Sequence, residues 1–191
     1  MHKAILEAVG LRTEFDIPAG ILFSRELEPE RYGLRQEDRQ TIALLRDFVE
    51  EYNRETPPDT RTPVTSSRQA AEMLYPALRS LDHEEVWCLF LTRAHLPISR
   101  KMICSGALDV SVIDARKIIR TALEENATDV ILFHNHPSGN PMPSQADIRQ
   151  TEKLKKAMAI FDISFTDHII ISESRFFSFA EDSLLCYSAK N

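Results

Sequence analysis

The run EVWCLFLT over residues 85–92 is apolar on both of its alternating faces: Val86, Cys88 and Phe90 fall on one side of a strand, Trp87, Leu89 and Leu91 on the other. A strand of that kind has to be covered on both sides, which places it inside a sheet with helices packed against it. The rest of the pattern supplies the cover. Residues 98–105 can pair with this strand as a hairpin across the short polar segment 93–97, and residues 129–134 form another short apolar strand. A helix capped by Ser66 or Ser67 and running to about Ser80 carries Ala70, Met73, Leu74 and Leu78 on one side. A second, over about 114–125, carries Ile118, Ile119 and Leu123. Residues 144–161 read as another helix, and 166–171 and 175–180 as two closing strands. Strands and helices are interleaved, so the expected class is α/β (α+β), a mixed sheet flanked by helices.

Upstream, QEDRQTIALLRDFVEEYNRE (residues 36–55) sets Ile42, Leu45, Phe48, Val49 and Tyr52 at helical spacing, an amphipathic helix. It runs into TPPDTRTP, whose three prolines favour extended backbone and mark a boundary. Residues 1–62 are therefore read as a partly helical N-terminal extension and residues 63–191 as the main domain. The chain has 191 residues and 43% hydrophobic content, enough for one good core. No apolar run approaches the roughly eighteen residues of a membrane helix. Charges at Glu7, Arg12, Glu14 and Asp16 interrupt any secretory signal pattern. The expectation is a soluble, cytoplasmic chain with no membrane partner. Cys88, Cys104 and Cys186 are odd in number and widely spaced, which reads as reduced core residues. A net charge of −6 argues against a dominant electrostatic hold on nucleic acid.

The chemistry is concentrated in FHNHPSGNPMPSQAD, residues 133–147. Histidines at i and i+2 at a strand end project from one side, so His134 and His136 can reach one ion. Asp147, in the first turn of the next helix, can add a hard oxygen once the proline-rich loop folds that helix start over the strand end. Two nitrogens, one oxygen and an open position describe a catalytic zinc site. Each part has a plainer explanation: histidines occur at strand ends, Ser144-x-x-Asp147 is also a helix-capping pattern, and Pro-Ser-Gly-Asn-Pro is turn chemistry. Together they make His134-x-His136-x7-Ser144-x2-Asp147 at a strand–loop–helix junction. The capping and metal roles are compatible, since a helix start holds Asp147 rigidly. Nucleobase deaminases would need His-x-Glu with Pro-Cys-x-x-Cys, and zincins His-Glu-x-x-His; neither is present. His134-Asn135-His136 is not an HNH nuclease site either, whose named residues are dispersed.

The constellation resembles the JAMM motif of the MPN+ metallohydrolases. HNHPSG, the Pro-x-Pro-Ser-x-x-Asp-Ile continuation and the later Asp167-His168-Ile-Ile-Ile resemble the bacterial RadC-like branch, over roughly residues 65–180. The resemblance implies a JAB/MPN domain of cytidine-deaminase-like architecture, with Zn2+ held by His134, His136 and Asp147 and Ser144 stabilising an oxyanion. It also implies a glutamate acting as general base in hydrolysis of a peptide or isopeptide bond, with a peptide or protein-conjugate as substrate. Glu84 and Glu85 are the candidates. Alternation along the strand leaves the choice open because both faces are apolar. Family spacing, with the acid three residues before a Gly or Trp, selects Glu84 ahead of Trp87 and makes Glu85 a surface charge at the strand's entrance. His168 has two readings, contact with a metal ligand or a structural part at a strand end, and the second is preferred.

Two other functions were weighed. One is a DNA-repair-associated protein using Arg116, Lys117, Arg120, Lys153, Lys155 and Lys156 on phosphate. Residues 1–60 lack the glycine-bearing helix-hairpin-helix pattern such relatives use, so nucleic-acid binding is expected to be weak. The other is a non-catalytic interaction module, whose usual sign is a broken metal motif.

Overall fold

The computed structural model describes residues 10–11, 17, 27–35, 38–55, 58–106 and 113–182. The chain divides into two compact units, Met1–Thr56 and Pro57–Asn191. In the first, a 3-10 turn at Pro29–Tyr32 ends on Gly33 with φ +66, a left-handed residue that a side chain would strain. Helix α1 follows, Asp38–Glu55. Asp38 accepts from the backbone N–H of Arg35 at 2.8 Å and from its guanidinium, closing the helix start. Leu11, Ile17, Leu34 and Ile42 form a small core, partly joined by Leu45. Phe48 and Tyr52, expected on the buried side, are exposed, and so is Leu44.

The second unit contains α2 (Ser67–Leu78), β1 (Glu85–Leu91), β2 (Pro97–Ser105), α3 (Ala115–Glu124), β3 (Asp129–Asn135), α4 (Gln145–Ala159), β4 (Ser164–Ile171) and β5 (Phe176–Ser178). The five strands form one mixed sheet in the order β2-β1-β3-β4-β5. Only β3 and β4 are parallel, and α4 is the crossover between them. β1 and β3, the two central strands of strongest apolar pattern, are buried at every position.

Two cores lie on the two faces of this sheet. Val86, Cys88, Phe90, Val130 and Leu132 pack with Ile118, Ile119 and Ala122 of α3 and Leu154 and Met158 of α4. Trp87, Leu89, Leu91, Ile131 and Phe133 pack on the other face with Ala70, Leu74 and Leu78 of α2. The strands are thus covered on both sides, as their sequence requires. Each fully buried Leu or Phe contributes on the order of 1.5–3 kcal/mol. Among the described residues Cys88 is a buried free thiol and Cys104 a half-buried one; Cys186 lies outside them. No helix of the described residues is long and apolar enough to cross a membrane.

This arrangement fixes where chemistry can occur. The chain leaves β3 at its carboxyl end and returns as the first turn of α4 beside the same strand end. Val86 of β1 pairs with His134, so residue 84, two positions earlier on the same face, also lies at that end of the sheet.

Candidate metal centre

His134 is the sixth residue of β3, and His136 lies just beyond the strand, its backbone N–H still bonded to the carbonyl of Ile171 at 2.8 Å. That extra bond continues the extended backbone, so the two side chains emerge on one side with ring centroids 4.8 Å apart. Immediately afterwards the chain turns: Gly139, at φ +79, donates to the carbonyl of His136. The loop then offers the carbonyl of Asn140 to His136 Nδ1 at 2.8 Å. A carbonyl only accepts, so His136 carries a proton on Nδ1, and Nε2 is the nitrogen turned inward.

Asp147 arrives from the other side, as the third residue of α4. Ser144 caps the helix by accepting from Asp147 N–H at 3.2 Å, and Asp147 Oδ2 in return accepts from Ser144 N–H at 2.7 Å. The Ser144 hydroxyl also donates to Oδ2, at 2.6 Å. The capping box satisfies the helix end and immobilises the carboxylate, leaving Oδ1 toward His134. His134 Nε2 lies 3.5 Å from Asp147 Oδ1, and His136 Nε2 3.9 Å from Oδ2. One ligand atom from each of the three residues falls within 4.8 Å of the others.

The chemistry of this cluster is compatible with a bound cation. His134 Nε2 and His136 Nε2 face each other at 2.9 Å, where at most one proton fits, beside a largely buried carboxylate. Burial pushes His134 down to about 4; Asp147 pulls upward and His136 adds to the depression. His134 is therefore neutral at neutral pH. Two imidazole nitrogens and a carboxylate oxygen are the donor set of an open zinc site.

Comparison with known proteins bears on the same segment. The model of the RadC-like JAB domain matches residues 64–184, more than half of the chain. The chain belongs to the RadC-like JAB domain family. Within it, the chain is 40% identical over 121 residues to a UPF0758 protein of Flavobacterium johnsoniae, covering 63% of this chain and 53% of the relative. It is 42% identical over 119 residues to a UPF0758 protein of Coxiella burnetii, covering 62% and 53%. To the UPF0758 protein YeeS of Escherichia coli it is 39% identical over 121 residues, covering 63% and 82%. The chain spans about half the length of the first two of these curated relatives. Their names assign no reaction.

Around the three clustered residues, the RadC-like JAB domain separates its two candidate glutamates. Glu85 faces the α2 side with Trp87 and is buried, contrary to the expected surface charge. Its carboxylate accepts from Trp87 Nε1 at 2.8 Å and Ser105 Oγ at 3.2 Å and meets His83 Nε2 at 3.1 Å. Glu84 is half-buried on the other face. Burial raises its carboxyl above the ordinary range, with His136 lowering it and Asp147 raising it, so it senses the cluster directly. Asn135, between the two histidines, points to the opposite face and brackets Glu84: its Oδ1 accepts from Glu85 N–H at 2.8 Å and its Nδ2 donates to the His83 carbonyl at 2.9 Å. Strand alternation turns Asn135 away from the cluster, but its grip on residues 83 and 85 has no local signal.

His168 is not a strand-end prop. It lies within β4, fully buried, with Nε2 2.8 Å from His134 Nδ1 and its ring stacked on Phe179 at 4.6 Å. The preferred expectation for His168 is corrected to contact with a clustered histidine. The reason is the parallel register, which sets Leu132 opposite His168 and brings its ring to the β3 face carrying His134.

Proposed function

We propose that this domain is a zinc-dependent hydrolase of amide bonds, a metallopeptidase or isopeptidase of the JAMM type. The observation that carries the reading is the convergence of two inward ring nitrogens and a fixed carboxylate, a donor set suited to a metal ion. Zinc, when bound by His134, His136 and Asp147, supplies Lewis-acid polarisation of a scissile carbonyl and lowers the pKa of a water molecule.

The chain's own residues supply the rest. Glu84, half-buried and on the sheet face that carries His134, takes the proton of the attacking water and returns it to the leaving amine. A raised carboxyl pKa suits that two-way traffic, because the group must both accept and release a proton near neutrality. The Ser144 hydroxyl gives its single proton to Asp147 Oδ2 in the structure. Stabilisation of a developing oxyanion is assigned to the same proton, redirected toward substrate. The substrate is a peptide or protein conjugate.

Contact with nucleic acid is expected to be weak and salt-sensitive. Arg116 pairs with Asp114, Arg120 with Glu124, and Lys117 donates to the carbonyl of Ile103, so each α3 cation already has a partner. The test of the main reading is metal analysis of protein purified without added metal. About one zinc per chain is expected, lost in His136→Ala. Full occupancy in that variant would overturn the ligand assignment.

A further inference from the structure

We propose that Thr151 and His168 form a buried positioning relay that fixes the tautomer of His134 and so aims Nε2 at the metal; this rests on the metal-binding reading above. The deduction starts two links away, at the backbone carbonyl of Asp147, which can only accept. Thr151 Oγ1 lies 2.7 Å from it and must donate there. The same oxygen lies 2.6 Å from His168 Nδ1. With its only proton committed, Thr151 accepts, so His168 Nδ1 carries the proton.

His168 has no exposed surface, and both its ring nitrogens are engaged by uncharged partners, Thr151 and an imidazole, so it is neutral with a single ring proton. Its Nε2 is therefore bare and must accept from His134 Nδ1 at 2.8 Å. His134 is left with one tautomer, Nδ1–H, and its Nε2 faces His136 and Asp147. Each polarity follows from the Asp147 carbonyl and from the neutrality of buried His168.

The relay also closes on itself. It begins at the peptide of one metal ligand and ends at the ring of another, tying α4, β4 and β3 together through groups that water cannot replace, since Thr151 is 2% exposed and His134 1%. Metal-bound imidazoles usually donate their second N–H to a carboxylate, a carbonyl or water. Here the acceptor is another neutral histidine, whose basic nitrogen exists only while Thr151 holds its proton on the far side. His168 and Thr151 are positioning residues, acting through His134.

The experiment compares the wild-type chain, His168→Gln and His168→Phe, using zinc alone in competition with a chelating dye, together with thermal unfolding of the metal-free forms. Glutamine keeps an acceptor for His134, whereas phenylalanine keeps the ring and its stacking on Phe179 but accepts nothing. We expect His168→Gln to bind zinc close to wild type and His168→Phe to bind roughly 10- to 100-fold more weakly. The metal-free His168→Phe should melt no lower than His168→Gln. Equal zinc affinity in wild type and a folded His168→Phe would overturn the relay. A second arm needs no variant: 15N–1H correlation spectra of the metal-free wild type should place the His134 proton on Nδ1. A proton on Nε2 with Nδ1 bare would overturn the relay even if both variants failed to fold. Absence of zinc binding by wild type, with the His134 proton on Nδ1, would instead overturn the metal reading on which the relay depends.

Discussion

Glu84 and Glu85 are chemically identical neighbours that a half-turn of strand sends into different surroundings. Glu85 is buried and held by Trp87, Ser105 and His83, so Glu85→Ala would strand the buried Trp87 indole N–H and cost roughly 1–3 kcal/mol, read by denaturant unfolding. Glu84→Gln should leave zinc content and stability unchanged while lowering amide hydrolysis by about 10²–10⁴, and Glu85→Gln should stay active. Loss of activity in the second variant alone would move the general base by one residue. This pair also shows what residue-level reading could reach. Parity put the two acids on opposite faces, but with both faces apolar it could not say which face carried the histidines; that required the β1–β3 register. His83 offers a pH test. Asp82, then Glu85, raise its pKa above 6.5, against desolvation. A raised histidine stabilises the fold below its unfolded pKa, and the effect is lost as pH rises through the higher folded value. The melting difference between wild type and His83→Gln should therefore be full below pH 6.5 and shrink above it. It should be small, because the ring is largely solvated.

Helix α4 combines two duties in its first turn. Ser144→Ala removes the cap and should cost about 1 kcal/mol of stability. It should also weaken zinc binding, because the same hydroxyl holds Asp147 Oδ2. A variant that lost stability but kept zinc affinity would separate the two duties. Ser144-x-x-Asp147 was legible as a cap because capping is local, and the strand–loop–helix order around it followed from periodicity. Thr151 was not singled out, although its i+4 spacing from Asp147 puts both on one helical face. Its meaning depends on β4, thirteen or more residues further on. The expected strand over 175–180 shortens to Phe176–Ser178 for a similar reason. Asp167, buried in β4, takes the Ala180 N–H at 2.9 Å and the Ser178 hydroxyl at 2.7 Å, and so bends the chain away from the ladder.

For the whole chain, the proline-rich boundary predicts that residues 57–191 fold without the first unit and keep one zinc per chain. Thermal unfolding of that fragment with and without chelator checks both. Zinc at a hundredfold excess over its Kd should add about 2.7 kcal/mol, lost on chelation. A fragment that aggregates, or takes no zinc where the full chain does, would show that the first 56 residues are part of the fold. The sheet and its flanking helices were readable because β1 and β3 are apolar on both faces. The first 35 residues were not assigned, and only Gly10, Leu11, Ile17 and residues 27–35 of that stretch are described. Their core of Leu11, Ile17, Leu34 and Ile42 is assembled from positions with no shared period.

If the proposed metal reading holds, the facing pair of Nε2 atoms is a frustrated arrangement until a cation is bound. Like dipoles are pressed together beside a carboxylate. On the metal reading proposed above, such a conflict is a cost to stability that a bound cation would offset. Metal-free His136→Ala should accordingly melt at or above the temperature of the metal-free wild type, although alanine usually costs stability at a half-buried position.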